Sequence, residues 1–61
     1  PTKLGEDRWS CSDAEAWLDG DALRVSDGSD INALRAAVCL MWSAADAGRD
    51  TTSIALPVWS L

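Results

Sequence analysis

The run from Ile31 to Ala45, Ile-Asn-Ala-Leu-Arg-Ala-Ala-Val-Cys-Leu-Met-Trp-Ser-Ala-Ala, most constrains what this chain can fold into. It is rich in strong helix formers. Ser29 or Asp30 is a good N-cap before it, and Gly48 fits the left-handed position that ends many helices, with Arg49 near the carbonyl end. The spacing predicts a helix over about 31–47. Ile31, Leu34, Val38, Met41 and Ala45 step by three and four to make one apolar stripe. Ala33, Ala37, Leu40 and Ala44 make a second stripe beside it, which leaves only Asn32, Arg35, Ser43 and Asp46 as a polar line. A lone surface helix carries one such stripe, so this one is expected to be covered on at least two sides.

Chain length sharpens the point. A chain of 61 residues holds one domain at most, and a domain of this size buries only about 60% of the surface its unfolded form exposes. Such scaffolds usually rely on a metal, disulfides or a partner. There is no histidine, and only Cys11 and Cys39 carry thiols, which excludes the usual zinc spacings. The two cysteines are expected to be free thiols in a cytoplasmic protein, Cys39 acting as a small hydrophobe within the helix. The remaining staple is a partner, so the chain reads as a subunit or fragment whose core other protein completes. A start at Pro1 rather than Met suits a chain that is processed, cleaved or incompletely represented.

Ahead of the helix the signals are short. Residues 1–7 are polar with Gly5 and read as an irregular lead-in. Arg8 to Ser12 alternates polar and apolar, as a half-buried strand does. Ser12-Asp13-Ala14-Glu15 has the form of a capping box, which would open a short helix through Trp17 and Leu18. Against it, Asp19-Gly20 separates two runs as a hairpin turn does, and fewer than two helical turns would fit before Gly20. The hairpin is the preferred of the two readings. Ser26-Asp27-Gly28-Ser29 is a further turn, and Asp27-Gly28-Ser29-Asp30 lacks the later ligands of a calcium loop. After Asp50, Thr51 to Leu56 turns β-like until Pro57, which confines it to an edge strand. Val58-Trp59-Ser60-Leu61 is an apolar tail. The expected class is α+β: an N-terminal β-hairpin or meander, one long buried helix and a C-terminal edge strand. It would be a single small domain of residues 1–61, or a fragment of a larger α/β domain.

Catalytic chemistry finds little to stand on. Without histidine, Ser–His and Cys–His nucleophiles are excluded within the chain. Lys3, the sole lysine, lies in the polar lead-in, and no glycine-rich phosphate loop is present. The carboxylate pairs Asp13 with Glu15 and Asp19 with Asp21 read as solvated strand or turn residues. Pro1 would be a candidate catalytic amine, as in small tautomerases, only if a strand followed it, and Pro1 to Gly5 does not look like one. A net charge of −5, ten acidic residues against five basic, disfavours nucleic acid and anionic membranes as partners. Four tryptophans with no Phe or Tyr are unusual at this length. Trp is favoured at interface hot spots, so Trp9, Trp17, Trp42 and Trp59 are the candidate partner-interface residues, with Trp42 expected to lie inside.

One resemblance is carried by Asp30-Ile31-Asn32-Ala33-Leu34-Arg35 through Ala44-Ala45-Asp46-Ala47-Gly48-Arg49 and then Ile54-Ala55-Leu56-Pro57. This resembles the C-terminal end of the Gfo/Idh/MocA oxidoreductases, which close with an Ala-Leu-Arg helix, a turn ending in Gly-Arg and a short strand into Leu-Pro. It covers about half of the chain and departs from the family in the extra Asp50-Thr51-Thr52-Ser53. The resemblance implies a scaffold part of an NAD(P)-dependent sugar or cyclitol oxidoreductase. The dinucleotide fingerprint, the catalytic lysine and the histidine would lie on the rest of the enzyme, and NAD(P) would not bind this chain alone. The alternative is a small acidic protein-binding module that docks through its tryptophans and apolar helix.

Overall fold

The computed structural model describes residues 1–54, in which four strands precede one helix: β1 Thr2–Gly5, β2 Arg8–Cys11, β3 Ala14–Asp19, β4 Ala22–Val25 and α1 Ile31–Asp46. The strands form an antiparallel meander in the order β1-β2-β3-β4, and α1 lies across β2, β3 and β4. This is the expected α+β class, with the meander in place of a single hairpin.

Register decides which side chains meet the helix. Directly opposed residues of an antiparallel ladder share a face. Trp9, Ala16 and Val25 are opposed across three strands, as are Cys11 with Ala14 and Leu18 with Leu23, and these face α1. Arg8, Trp17 and Arg24 form the neighbouring row on the open face. A slip of one residue would exchange the two sets. The two-residue turns hold the register. Asp19 opposes Ala22, so Gly20-Asp21 is the turn, with Gly20 at φ +62° and Asp21 at negative φ. That sign pattern belongs to a type II′ turn, which takes glycine first. Cys11 opposes Ala14 in the same way, and Ser12, at φ +57°, takes the first turn position. Ser12 therefore sits in a hairpin turn and opens no helix.

Two expectations for the strands need correction. The lead-in is not irregular, because Thr2–Gly5 pairs with β2 through Thr2 with Ser10 and Lys3 with Trp9. All four of its residues are exposed, so no apolar alternation marks it. Pairing with the free edge of β2 makes it a strand. This removes the ground for setting Pro1 aside, yet Pro1 is exposed beside the outermost strand and outside the cleft described below. At the other end Thr51–Ser53 is a 3-10 turn. Asp50 accepts hydrogen bonds from the Thr52 backbone N–H at 3.0 Å and from its hydroxyl at 2.6 Å. Such local bonding competes with a strand ladder. Only Ile54 is extended there, and the expected edge strand beyond it, with Pro57 and Trp59, lies outside the described residues.

The helix starts and stops where its sequence requires. Asp30 accepts from the Asn32 N–H at 2.8 Å, satisfying one of the orphan donors of the first turn. At the far end the N–H groups of Gly48 and Arg49 donate to the carbonyls of Ala45 and Ala44, both at 3.0 Å, with Gly48 at φ +87°. This is a Schellman motif.

Among the described residues the sheet covers the alanine stripe, and of the other stripe only Met41 packs against the core. Ala33, Ala36, Ala37, Leu40 and Ala44 are buried against the sheet, whereas Ile31, Leu34 and Val38 are exposed. The sheet receives the alanine side because Ala14 and Ala16 of β3 are small as well, and small residues on both surfaces let the helix backbone come close. Among the described residues Leu40 is the one large side chain that is fully enclosed, in a cluster with Ala16, Leu23, Ala36, Ala37 and Ile54. A core built so largely of alanine buries few methylenes. At about 0.8 kcal/mol for each, it is a modest source of stability.

Candidate docking surface

Several acidic residues are occupied by neighbours in the chain. Glu15 meets Arg8 at 3.2 Å and Asp19 meets Arg24 at 3.1 Å on the open face of the sheet. Asp27 accepts from the Ser29 backbone N–H at 3.0 Å and from its hydroxyl at 2.8 Å, and these two bonds hold its carboxyl below the usual aspartate range. Asp50 is likewise lowered, first by the Thr52 hydroxyl and then by its backbone N–H. Turn and cap chemistry thus accounts for the Asp27 to Asp30 segment. Among the described residues, no group of three or more Cys, Asp or Glu stands where it could hold a metal ion. Both cysteines are free thiols, and Cys11 donates to the Asn32 side-chain oxygen at 3.6 Å.

The tryptophans are dispersed. Trp17 lies on the open face of the sheet, half-buried, with the Arg8 guanidinium 4.9 Å from its ring centroid. A contact of this kind contributes roughly 0.5–1 kcal/mol at an exposed site, and it covers Trp17 with the chain's own residues. Trp9 is inserted between β2 and the flank of α1, and its indole N–H is buried without a hydrogen-bond partner among the described residues. Trp42 is not internal. It is 77% exposed, because it lies two positions, about 200° around the helix, from Leu40, whose side faces the sheet. Trp59 lies outside the described residues. The structure therefore brings Trp9 and Trp42 to one region and sets Trp17 on another face.

That region is a shallow cleft of about 490 Å³ between β2 and α1, lined by Trp9, Val38, Cys39, Trp42, Ser43 and Asp46. Val38 and Trp42 belong at once to the cleft and to the open side of the helix. There Ile31 is 58%, Leu34 40% and Val38 48% exposed, so with Trp42 they form one apolar strip along the whole outer face of α1. Sequence reasoning named Trp42 as an interface residue but not these three. Their spacing was the available signal, and it left open which stripe the sheet would take.

The edges of the sheet are less inviting. β1 carries a register irregularity between Lys3 and Gly5, and a bulge with a lysine is a common guard against strand addition. No helix among the described residues is long and apolar enough to cross a membrane. No family model matches the chain, and no curated protein or solved structure matches it either.

Proposed function

We propose that this chain is a protein-docking module or subunit whose binding surface is the outer face of α1 together with the adjoining cleft. The observation that carries this reading is the exposure of Ile31, Leu34, Val38 and Trp42 in one continuous strip. Scattered apolar residues on a surface are ordinary, whereas the largest contiguous apolar patch of a small protein, at a few hundred Å², is often its interaction site. A large exposed aromatic beside a cleft also has the make-up of a binding hot spot. At the N-terminal end of the strip, Asp27 and Asp30 supply polar turn and cap residues, as the polar rim of an interface does.

The enzyme-scaffold reading places the same demand on the same face. In a C-terminal segment of an NAD(P)-dependent oxidoreductase, the rest of the enzyme would cover the strip. One experiment tests docking and separates the forms it takes. The tagged chain and its Val38→Asp variant are purified from their source cells, and every co-purifying chain is identified by intact mass and sequence. Docking predicts a stoichiometric companion that Val38→Asp loses while its circular dichroism is unchanged. A companion carrying a Gly-x-Gly-x-x-Gly segment would favour the oxidoreductase form. Equal recovery with both chains would refute docking through this face.

A further inference from the structure

The arrangement of the strip points to its occupant. Its members are spaced symmetrically about Val38: Leu34 and Trp42 lie four positions to either side, and Ile31 and Ala45 lie seven. We propose that the outer face of α1 pairs with that of a second copy, antiparallel, about a two-fold axis at Val38. This rests on the docking reading above and names its partner. In such an isologous contact the same patch must complement itself. Val38 meets its own counterpart, Leu34 comes level with the partner's Trp42, and Ile31 comes level with the partner's Ala45. The two flanking levels then each set a larger side chain against a smaller one. A parallel pairing would instead set Trp42 against the partner's Trp42 and Arg35 against the partner's Arg35, with the helix dipoles aligned.

The area is sufficient but small. At the exposures of Ile31, Leu34, Val38 and Trp42, each copy offers about 400 Å² of apolar side chain, counting about 200 Å² for Trp42. Two copies with the flanking Arg35, Met41 and Ala45 reach roughly 1,000 Å², the lower bound for a specific interface. The pairing is therefore expected to be reversible. Charge weakens it further, since each copy carries −5 and Asp46 comes level with the partner's Asp30. Added salt screens that repulsion and should tighten the dimer.

Sedimentation equilibrium of the full chain from low micromolar to millimolar concentration tests this directly. The expected result is a monomer–dimer equilibrium that shifts toward dimer with salt. Val38→Asp sets two carboxylates together on the axis and should raise the dissociation constant by about 100-fold or more. Leu34→Glu and Trp42→Lys chains should each self-associate weakly but pair with one another when mixed, an outcome the antiparallel register alone predicts. A folded wild-type chain that stays monomeric throughout overturns the proposal, as does a dimer that Val38→Asp leaves intact. A wild-type monomer whose different companion is lost with Val38→Asp would overturn the second copy while leaving the docking surface in place. A monomer with no such companion would remove both.

Discussion

Replacing Leu40 by alanine, and separately Val38 by alanine, asks which side of α1 the sheet covers. Leu40 is fully enclosed and contacts a cluster drawn from β3, β4, its own helix and Ile54. Truncating a buried leucine typically costs about 2–5 kcal/mol, the upper part applying where the site cannot collapse. Here Ala16, Ala36 and Ala37 cannot reach into a void, while larger neighbours such as Leu23, Ile54 and Met41 can relax only in part, so a mid-range cost of about 3–4 kcal/mol is expected. A domain of this length has on the order of 3–9 kcal/mol in total, so Leu40→Ala should remove around half of it. Val38, by contrast, is 48% exposed, and its truncation should stay within about 0.5 kcal/mol, as for other surface positions. Urea unfolding followed by far-UV circular dichroism gives both values, at a chain concentration low enough that self-association adds nothing to the stability. If Val38→Ala costs more than Leu40→Ala in the dilute chain, the helix is rotated relative to this description. The bulky stripe would then be the core, and the docking strip would not exist.

Four further outcomes follow from local geometry. Asp30→Ala removes the cap on the Asn32 N–H and should cost about 1 kcal/mol, seen as a lower urea midpoint with an unchanged slope. Gly20→Ala places a side chain at φ +62° with open space around it, so only backbone strain of about 1 kcal/mol is expected, again read from the midpoint. Ser12 holds an equivalent conformation without being glycine, and Ser12→Gly should leave the midpoint unchanged or raise it. Asp27 and Asp50 titrate below the usual aspartate range when folded, so the folded chain binds fewer protons than the unfolded one in that window. Their contribution is then present above the usual aspartate pKa and is lost as pH falls through the lowered values. Stability measured at neutral pH and near pH 3 should accordingly fall less for an Asp27→Ala, Asp50→Ala double variant than for the parent chain.

Where the sequence could be read, a local rule applied. Asp30 before an apolar-periodic run and Gly48 after it mark a helix in any context, and the structure uses both as cap and terminator. The turn at Gly20 was visible for the same reason, although register centres it on Gly20-Asp21 rather than on Asp19-Gly20. The misses depend on partners distant in the chain. Thr2–Gly5 is a strand only because β2 offers it an unpaired edge, and none of its four side chains is buried enough to show a pattern. Thr51 to Ser53 has β-branched residues, but Asp50 captures Thr52 locally before any ladder can form.

The placement of the four tryptophans was less legible. Hydrophobicity singled out the tryptophans, yet it carries no direction, and Trp17 is covered by Arg8 from the adjacent strand. On α1 both stripes looked like core, since a 3.6-residue period shows that faces exist but not which one a neighbour takes. Packing chose between them by size: Ala14 and Ala16 on β3 make a flat floor against which Ala33, Ala36, Ala37 and Ala44 can settle, whereas Ile31, Leu34, Val38 and Trp42 would hold the helix away. The larger side chains are thus left outside by the requirement that the inside be close-packed. The same choice makes the core poor in buried methylenes and the surface rich in apolar area, so a limited core and an exposed apolar strip are two results of one packing decision. Were a partner to cover the strip, as proposed, mass action would add the free energy of docking to that of folding.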